Sequence, residues 1–493
     1  ENGGLVNPNY RYFKKMIEGG GSYFGMDYGK DRFMAYMFRG AYNFADRYTV
    51  NATVRYDGSN KMGKSRQARW LPTWNVSGAW DIDKEKFFFR NKDIFSSARI
   101  RGTYGLVANM GNATNTIATF YNQIAYRPYE TEKEALIFLN SLANSELTWE
   151  KLYELNIGAN LGFLQDRIDV TIDWYKRDIF DLLGVINTSG IGGENRKVAN
   201  YGKMKSEGFE LTIGGLAIRS QNPEGFRWRT QLNFGINKNK ITNLEASPRI
   251  WTLVRAEGDA LLGYPQRGLF SVKFDGLNPA DGSPTFINED GNKDNYVYLQ
   301  SYETGNLKYE GPVDPTLTGG FFNRFDYKGF SVSALLTFAK GNFLRLQQTF
   351  SSTYDDMTAI SKKLVNRWLL PGDEEITTVP SILDRYALDN YKRLTTNTAQ
   401  SASYPYNAYN YSTENIAKGD FVRLKTVTLS YTLPKRMTDK WGMDFIQLSL
   451  VGNNIALLYS DKRLLGADPE FFNNGGVALP IPKQYTFAIK IGL

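Results

Sequence analysis

Neither cysteine nor histidine occurs anywhere in the 493 residues. The first absence removes disulfide frameworks, thiolate zinc sites and cysteine nucleophiles together. The second removes the commonest metal ligand and general base, and with it every histidine-dependent triad. Enzyme chemistry would have to rest on carboxylate, Lys or Tyr groups, so composition leans toward binding, transport or scaffolding. Long apolar runs are also missing. The longest, such as Val332 to Ala339, are short and broken by Ser and Thr, far below the roughly 18 residues of a spanning helix. Net charge is small for the length: 59 Lys and Arg against 51 Asp and Glu leave +8. Solvated loops account for that excess, and no basic cluster with interleaved aromatics marks a nucleic-acid groove.

What is abundant is aromatic and glycine content, with 31 Tyr, 31 Phe and 46 Gly. At about 150 residues per domain the length corresponds to roughly three domains, although a barrel holds far more residues as one unit. Period-two alternation runs through the chain. Tyr48, Val50, Ala52, Val54 and Tyr56 oppose Thr49, Asn51, Thr53 and Arg55, while Ile168, Val170, Ile172 and Trp174 oppose Asp169, Thr171, Asp173 and Tyr175. Phe226 to Ile236 and Tyr485 to Leu493 repeat the pattern. One apolar and one polar face make each segment a half-buried strand. The apolar faces begin and end with aromatics, as in Tyr48/Tyr56 and Trp70/Trp80, where a membrane barrel needs its girdles. The opposite faces hold Arg, Asp, Glu and Asn, which suit a wet lumen better than a dry sandwich core.

The fold expected is all-β: a transmembrane antiparallel β-barrel of about thirteen strands at 34–44, 47–57, 69–82, 98–106, 147–162, 167–178, 207–217, 226–238, 316–327, 329–340, 420–433, 444–457 and 483–493. Connections after odd strands are short and those after even strands long, reaching 239–315 and 341–419. This is the sorting of periplasmic turns and extracellular loops. It puts the C-terminus in the periplasm and residues 1–33 in an extracellular segment. An odd strand count cannot close a bacterial barrel, and the chain opens at Glu1 without Met or a signal-like segment. A processed product or a piece of a longer polypeptide is expected.

Several segments resemble the SusC-like TonB-dependent transporters. They are Asp46 to Ser59 with its Arg-x-Asp-Gly-Ser turn, Arg101-Gly-Thr-Tyr-Gly105, Leu147-Thr-Trp-Glu-Lys151, Asn156-Ile-Gly158, Asn200-Tyr-Gly-Lys203 and Glu207-Gly-Phe-Glu-Leu211. Tyr327-Lys-Gly-Phe330, Gly419-Asp-Phe-Val-Arg-Leu-Lys425, Ser430-Tyr-Thr-Leu-Pro434, Gly452-Asn-Asn454 and Asp468-Pro-Glu470 follow in order. Leu493 stands where the family has a terminal aromatic. The resemblance implies the C-terminal part, residues 34–493, of a 22-stranded barrel in the outer membrane, with plug and first strands not in this chain. It implies active import of large nutrients, glycans or peptides, with a SusD-like lipoprotein as lid. The TonB complex would act through the missing N-terminal part, and the remainder of the same barrel, lipid and lipopolysaccharide would be its other neighbours. The alternative is a SusC-like barrel serving as structural subunit of an assembly or secretion complex. No catalytic residue is assigned.

Two loop features invite site readings. Tyr404, Tyr406, Tyr409 and Tyr411 are candidates for substrate or partner contact, since aromatics carry contact area at low entropic cost; packing of the loop on itself is the competing reading. Asn288, Asp290, Asn292 and Asp294 place oxygens at alternate positions like the first half of a calcium loop, a weak site for Ca or Mg. Position six is Lys293 and position twelve Leu299, so an Asx/Gly-rich turn competes. Otherwise no cofactor is expected. The acid pairs Glu374/Glu375 and Asp355/Asp356 lack the two-sided geometry of glycoside cleavage. Lys151, on an apolar face near a strand start, is expected to snorkel.

Overall fold

The computed structural model describes residues 32–492 apart from 63–68, 92–93, 111–117, 127–132, 142–143, 145, 189–195, 223, 296, 351–359, 383–404 and 475–481. The segment expected as an extracellular piece, 1–33, falls almost wholly outside the described residues. The main body is a single antiparallel sheet of thirteen strands, each paired with its neighbours in the chain. They are β1 (Phe33–Phe44), β2 (Tyr48–Ser59), β3 (Trp70–Asp81), β4 (Phe95–Asn109), β5 (Glu150–Phe163), β6 (Ile168–Asn187) and β7 (Arg196–Arg219). β8 (Arg227–Leu244), β9 (Leu317–Tyr327), β10 (Phe330–Lys340), β11 (Phe421–Thr432), β12 (Phe445–Ser460) and β13 (Gln484–Gly492) complete it. Every expected strand is present. No helix among the described residues is long and apolar enough to cross a membrane, which is silent on strands.

The two faces follow the alternation. Val50, Val54, Val76, Ile157, Trp174, Ile213, Phe321, Phe325 and Leu429 all stand exposed on the apolar face, where a water-facing sheet would have hidden them. Aromatics band it at both ends. Near the turns, Tyr48 stacks on Trp80 at 6.2 Å and Trp228 on Phe325 at 5.8 Å, and Phe330 meets Tyr431 at 4.3 Å. Near the long loops, Trp70 lies between Tyr56 and Tyr36, and Tyr104 between Trp74 and Tyr153. From Tyr48 to Tyr56 is about 26 Å along the strand at 3.3 Å per residue. Tilted, with the rings at each end, this fits an apolar band about 25 Å tall.

The polar face is laced with ion pairs. Arg101 of β4 reaches Asp173 of β6 across β5 at 2.5 Å, and Arg177 meets Glu154 at 2.7 Å. Gly158 lies beneath the first pair: a Cβ there would stand 2.5 Å from Asp173 Oδ1 and 2.6 Å from Arg101 Nε, so only glycine lets the two side chains join. Lys151, near the long-loop end of β5, donates to Asp181 at 2.8 Å, both side chains staying partly exposed.

Connections at one end are mostly tight. The β9–β10 turn is Lys328-Gly329, both with positive φ, as a two-residue hairpin of right-handed twist requires. At the other end lie 110–149, 245–316, 341–420 and 461–483. Two connections depart from the expected sorting: β2–β3 at this end, 60–69, is shorter than β3–β4 at the other, 82–94, and β6 and β7 continue as a ribbon to Asn187 and from Arg196, so that only 188–195 lie between them. The ribbon's polar-face residues Ile179 and Met204 are buried with Leu182, Ile241 and Ala260, so packing against the loop after β8 sustains strand beyond the membrane band. Glu85, in the longer β3–β4 connection, accepts from Tyr48 Oη at 2.6 Å, Arg47 Nη1 at 2.8 Å and Trp80 Nε1 at 3.2 Å. The Tyr48 hydrogen bond chiefly lowers its pKa.

Among the described residues β1 and β13 pair with nothing on their outer sides. Both strands are exposed over nearly their whole length. The sheet is an open arc of wall, with a free hydrogen-bonding edge at each side.

Candidate functional site

The described parts of the connections 245–316 and 341–420 fold together into a body with its own core, in which Ile250, Leu253, Phe270, Phe286 and Leu299 from the first pack with Ala408, Tyr409 and Tyr411 from the second. At its centre is Arg345, a charged residue fully inside. Its Nε donates to the Val254 carbonyl at 3.0 Å and Nη1 to the Ser412 carbonyl at 2.8 Å, while Nη2 donates to the Phe270 carbonyl at 2.5 Å and to Ser271 Oγ at 3.2 Å. Burial pulls its pKa down to about 9, opposed by the charge of Glu310, so it stays protonated at neutral pH. With three carbonyls and a hydroxyl accepting from it, the guanidinium avoids most of the cost of orphaned buried donors.

This body settles where the tyrosines go. Tyr404 lies outside the described residues. Tyr406, Tyr409 and Tyr411 are buried, Tyr409 being 1% exposed. Tyr409 meets Phe274 edge-on at 5.6 Å, Tyr411 meets Trp251 at 5.1 Å, and Tyr406 Oη lies 3.0 Å from Ser381 Oγ. Burial drives the Tyr409 pKa upward, and Tyr309 in the same core is pushed up to about 12. The expected contact surface is corrected for these three: their rings hold the loops to each other and present no face to an incoming ligand.

The exposed surface lies elsewhere, in 360–382. Ser361 Oγ caps a short 3-10 turn, Lys362–Asn366, that turns Leu364 inward and leaves Val365 74% exposed. Leu369 and Leu370 follow, exposed, and Ile376 is 84% exposed. The segment is rigidly tied. Asp373 Oδ2 accepts from the Leu369 and Leu370 amides, both at 2.9 Å, and these bonds hold its carboxyl below the usual range. Trp368 Nε1 donates to Glu374 Oε2 at 2.9 Å, and the ring sits on Gly282 of the first loop. A Cβ on Gly282, whose φ is +67°, would stand 2.4 Å from that ring. Lys363 Nζ donates to Asn415 Oδ1 at 2.8 Å, and burial pulls its pKa to about 8. Each aliphatic covered by a partner would contribute about 1.5–3 kcal/mol, which makes this fixed segment the candidate contact surface among the described residues. In the sequence it is missed because Val365, Leu369, Leu370 and Ile376 follow no single period.

The remaining candidates separate. Asn288 Oδ1 accepts from the amides of Asp290 at 3.0 Å and Asn292 at 2.9 Å, closing a turn at Gly291. Lys293 and Asp294 leave it as a strand paired with Pro284–Ile287. Among the described residues no group of three or more acids is placed to hold a metal. Glu374 is occupied as the Trp368 acceptor, and Asp355 and Asp356 lie outside the described residues. The structure also joins three motifs that are far apart in sequence. Arg423 Nη1 donates to Asn454 Oδ1 at 2.5 Å and Nη2 to Asp468 Oδ1 at 2.5 Å, with Glu470 Oε2 2.8 Å from Nε. Around buried Arg423, this cluster clasps the Asp468–Glu470 stretch of the following connection to the tops of β11 and β12.

A family model described as TonB dependent receptor-like, beta-barrel matches residues 2–266. TonB-dependent receptor P3 of Formosa agariphila is 25% identical over 456 residues, covering 87% of this chain and 41% of that protein. TonB-dependent receptor SusC of Bacteroides thetaiotaomicron is 25% identical over 345 residues, 64% of this chain and 32% of that protein. The chain thus spans less than half the length of these curated relatives. Among solved structures, the RagAB peptide importer in its closed-closed state superposes with a TM-score of 0.72 at 22% identity, covering 94% of this chain and 48% of that chain. At that identity the match speaks for the fold.

Proposed function

We infer, from the premise that this chain belongs to the TonB-dependent receptor-like β-barrel family, that it forms wall and outer rim of an active importer. Its setting is the outer membrane, and its family is one of transporters rather than enzymes. The reading takes the long loops as extracellular, the hairpin turns and the end of β13 as periplasmic, and the apolar band as the surface against lipid and lipopolysaccharide. The remaining barrel strands complete the wall along the free edges of β1 and β13, and the rest of the polypeptide carries the plug and the TonB contact. Cargo is a large nutrient, a glycan or peptide, and a SusD-like surface lipoprotein closes over the loops. The supporting observation is the pinned segment 360–382, which displays Val365, Leu369, Leu370 and Ile376 to solvent on the long-loop side.

The test is a paired one in cells making the intact receptor. Val365→Asp with Ile376→Glu is expected to release the lipoprotein from the purified complex while the barrel remains folded in the membrane. Uptake in the parent is expected to stop on loss of TonB. Uptake that continues without TonB would favour the structural-subunit alternative. Retention of the lipoprotein by the double variant would remove 360–382 from the interface.

A further inference from the structure

We propose that the polar face of β7, β8 and β9, at the hairpin-turn end, is a binding site for an extended acidic polypeptide segment. The pairing register carries the inference. Arg227 of β8 stands directly opposite Arg219 of β7, and Arg229 directly opposite Arg324 of β9. Like charges in register destabilise a strand pair, yet two such pairs lie side by side here. The single acid of the group, Asp326, stands opposite Arg227 in the register and is bonded by Arg324, whose Nε donates to its two oxygens at 3.0 and 3.2 Å, so one carboxylate serves two of the four arginines. Arg219, Arg227 and Arg229 are exposed and make no hydrogen bond or ion pair among the described residues. All four arginines line one concavity of about 890 Å³, with Asn222 and Phe322 in its wall.

The chemistry of the occupant follows. Four guanidiniums against one carboxylate call for anionic oxygens, and Arg324 with Asp326 demonstrates the two-oxygen grip. Trp228 and Phe325 stack on the opposite face of the same strands, so the arginines point away from lipid and a headgroup cannot reach them. Arg227 and Arg229 are two residues apart, about 7 Å along the strand. Carboxylates two residues apart on an extended segment recur at the same interval and meet both charged rows together; a lone phosphate meets one. The inference rests on register and charge, and stands whether or not the chain serves in import.

The experiment titrates a synthetic peptide of alternating Glu and Gly into the detergent-solubilised intact protein at low ionic strength, followed by calorimetry. Its Gln-Gly counterpart and inorganic phosphate are titrated in parallel. The Glu peptide is expected to bind, to weaken with added salt, and to lose roughly 10- to 150-fold in affinity with Arg229→Gln and more with Arg227→Gln added, the equivalent of about 1.5–3 kcal/mol per charged hydrogen bond. Arg177→Gln, elsewhere on the polar face, leaves binding unchanged. Because repulsion is relieved, Arg229→Gln is expected to melt no lower than the parent; a role confined to folding predicts a lower melting temperature. Equal binding of the Gln peptide, phosphate binding as tight as the Glu peptide, or affinity unchanged in the arginine variants would each overturn the proposal.

Discussion

Placing a single arginine on one face or the other of β6 tests the reading of this sheet as a wall between hydrocarbon and water. Ile172 lies on the apolar face, with Ala159 of β5 and Leu211 of β7 as its register partners and Trp174 exposed beside it. Thr171 lies on the polar face, between Asn160 and Thr212, with Asp169 and Asp173 two residues to either side. Counting from the turn at 164–167, Ile172 stands near mid-height of the aromatic-bounded band and Val170 closer to its rim. Ile172→Arg is therefore expected to destabilise by about 2–4 kcal/mol, and Val170→Arg by less, about 1–2 kcal/mol, as depth falls. Thr171→Arg gains neighbouring carboxylates in water and is expected within about 0.5 kcal/mol of neutral. The gap between Ile172→Arg and Thr171→Arg corresponds to roughly 30- to 900-fold in the folding equilibrium. Denaturant titration of the intact protein folded into lipid vesicles, followed by tryptophan emission, reads it directly. Equal losses at 171 and 172, or a larger loss at 171, would refute the face assignment.

Two further outcomes test the loops. Asp468→Ala removes one of the oxygens around buried Arg423 and is expected to cost about 1.5–3 kcal/mol, rising to about 3–5 kcal/mol when Glu470 is also replaced; protease cleavage after Lys462 and Arg463 should accelerate, and an unchanged rate would sink the clasp. Lys363, with its pKa pulled to about 8 against a usual 10.5, is more readily protonated unfolded than folded between those values. The stability of 360–382 should thus rise as pH climbs from about 8 to about 10.5 and stay flat below. Hydrogen-exchange protection, corrected for intrinsic rate, checks this, and Lys363→Met should abolish the slope.

The strands were legible because their chemistry is local: side chains alternate between lipid and water, and a period of two survives in the sequence. Where that contrast stops, legibility stops with it. The ribbon of β6 and β7 past Asp178 and before Glu207 carries mixed residues, since packing by the loop after β8 sustains it, and its sequence passes for loop. The tyrosines mislead for a related reason. An aromatic-rich stretch reads alike whether it faces a ligand or another loop, and the partners that bury Tyr409 and Tyr411 lie far away in the chain, at Phe274 and Trp251. The segment 360–382 was hidden because its aliphatics gain their common exposure from the Asp373 and Trp368 ties. The Arg423 clasp, by contrast, was present as three motifs; only their meeting was invisible.

Arg345 has an effect out of proportion to its size. Its bonds reach segments 67 to 91 positions distant in the chain, so the two great connections cannot melt independently: freeing either strands a charge in oil. The rim should respond to force or heat as one cooperative block. Any motion at the mouth that keeps this arginine satisfied must swing the block bodily from its strand roots.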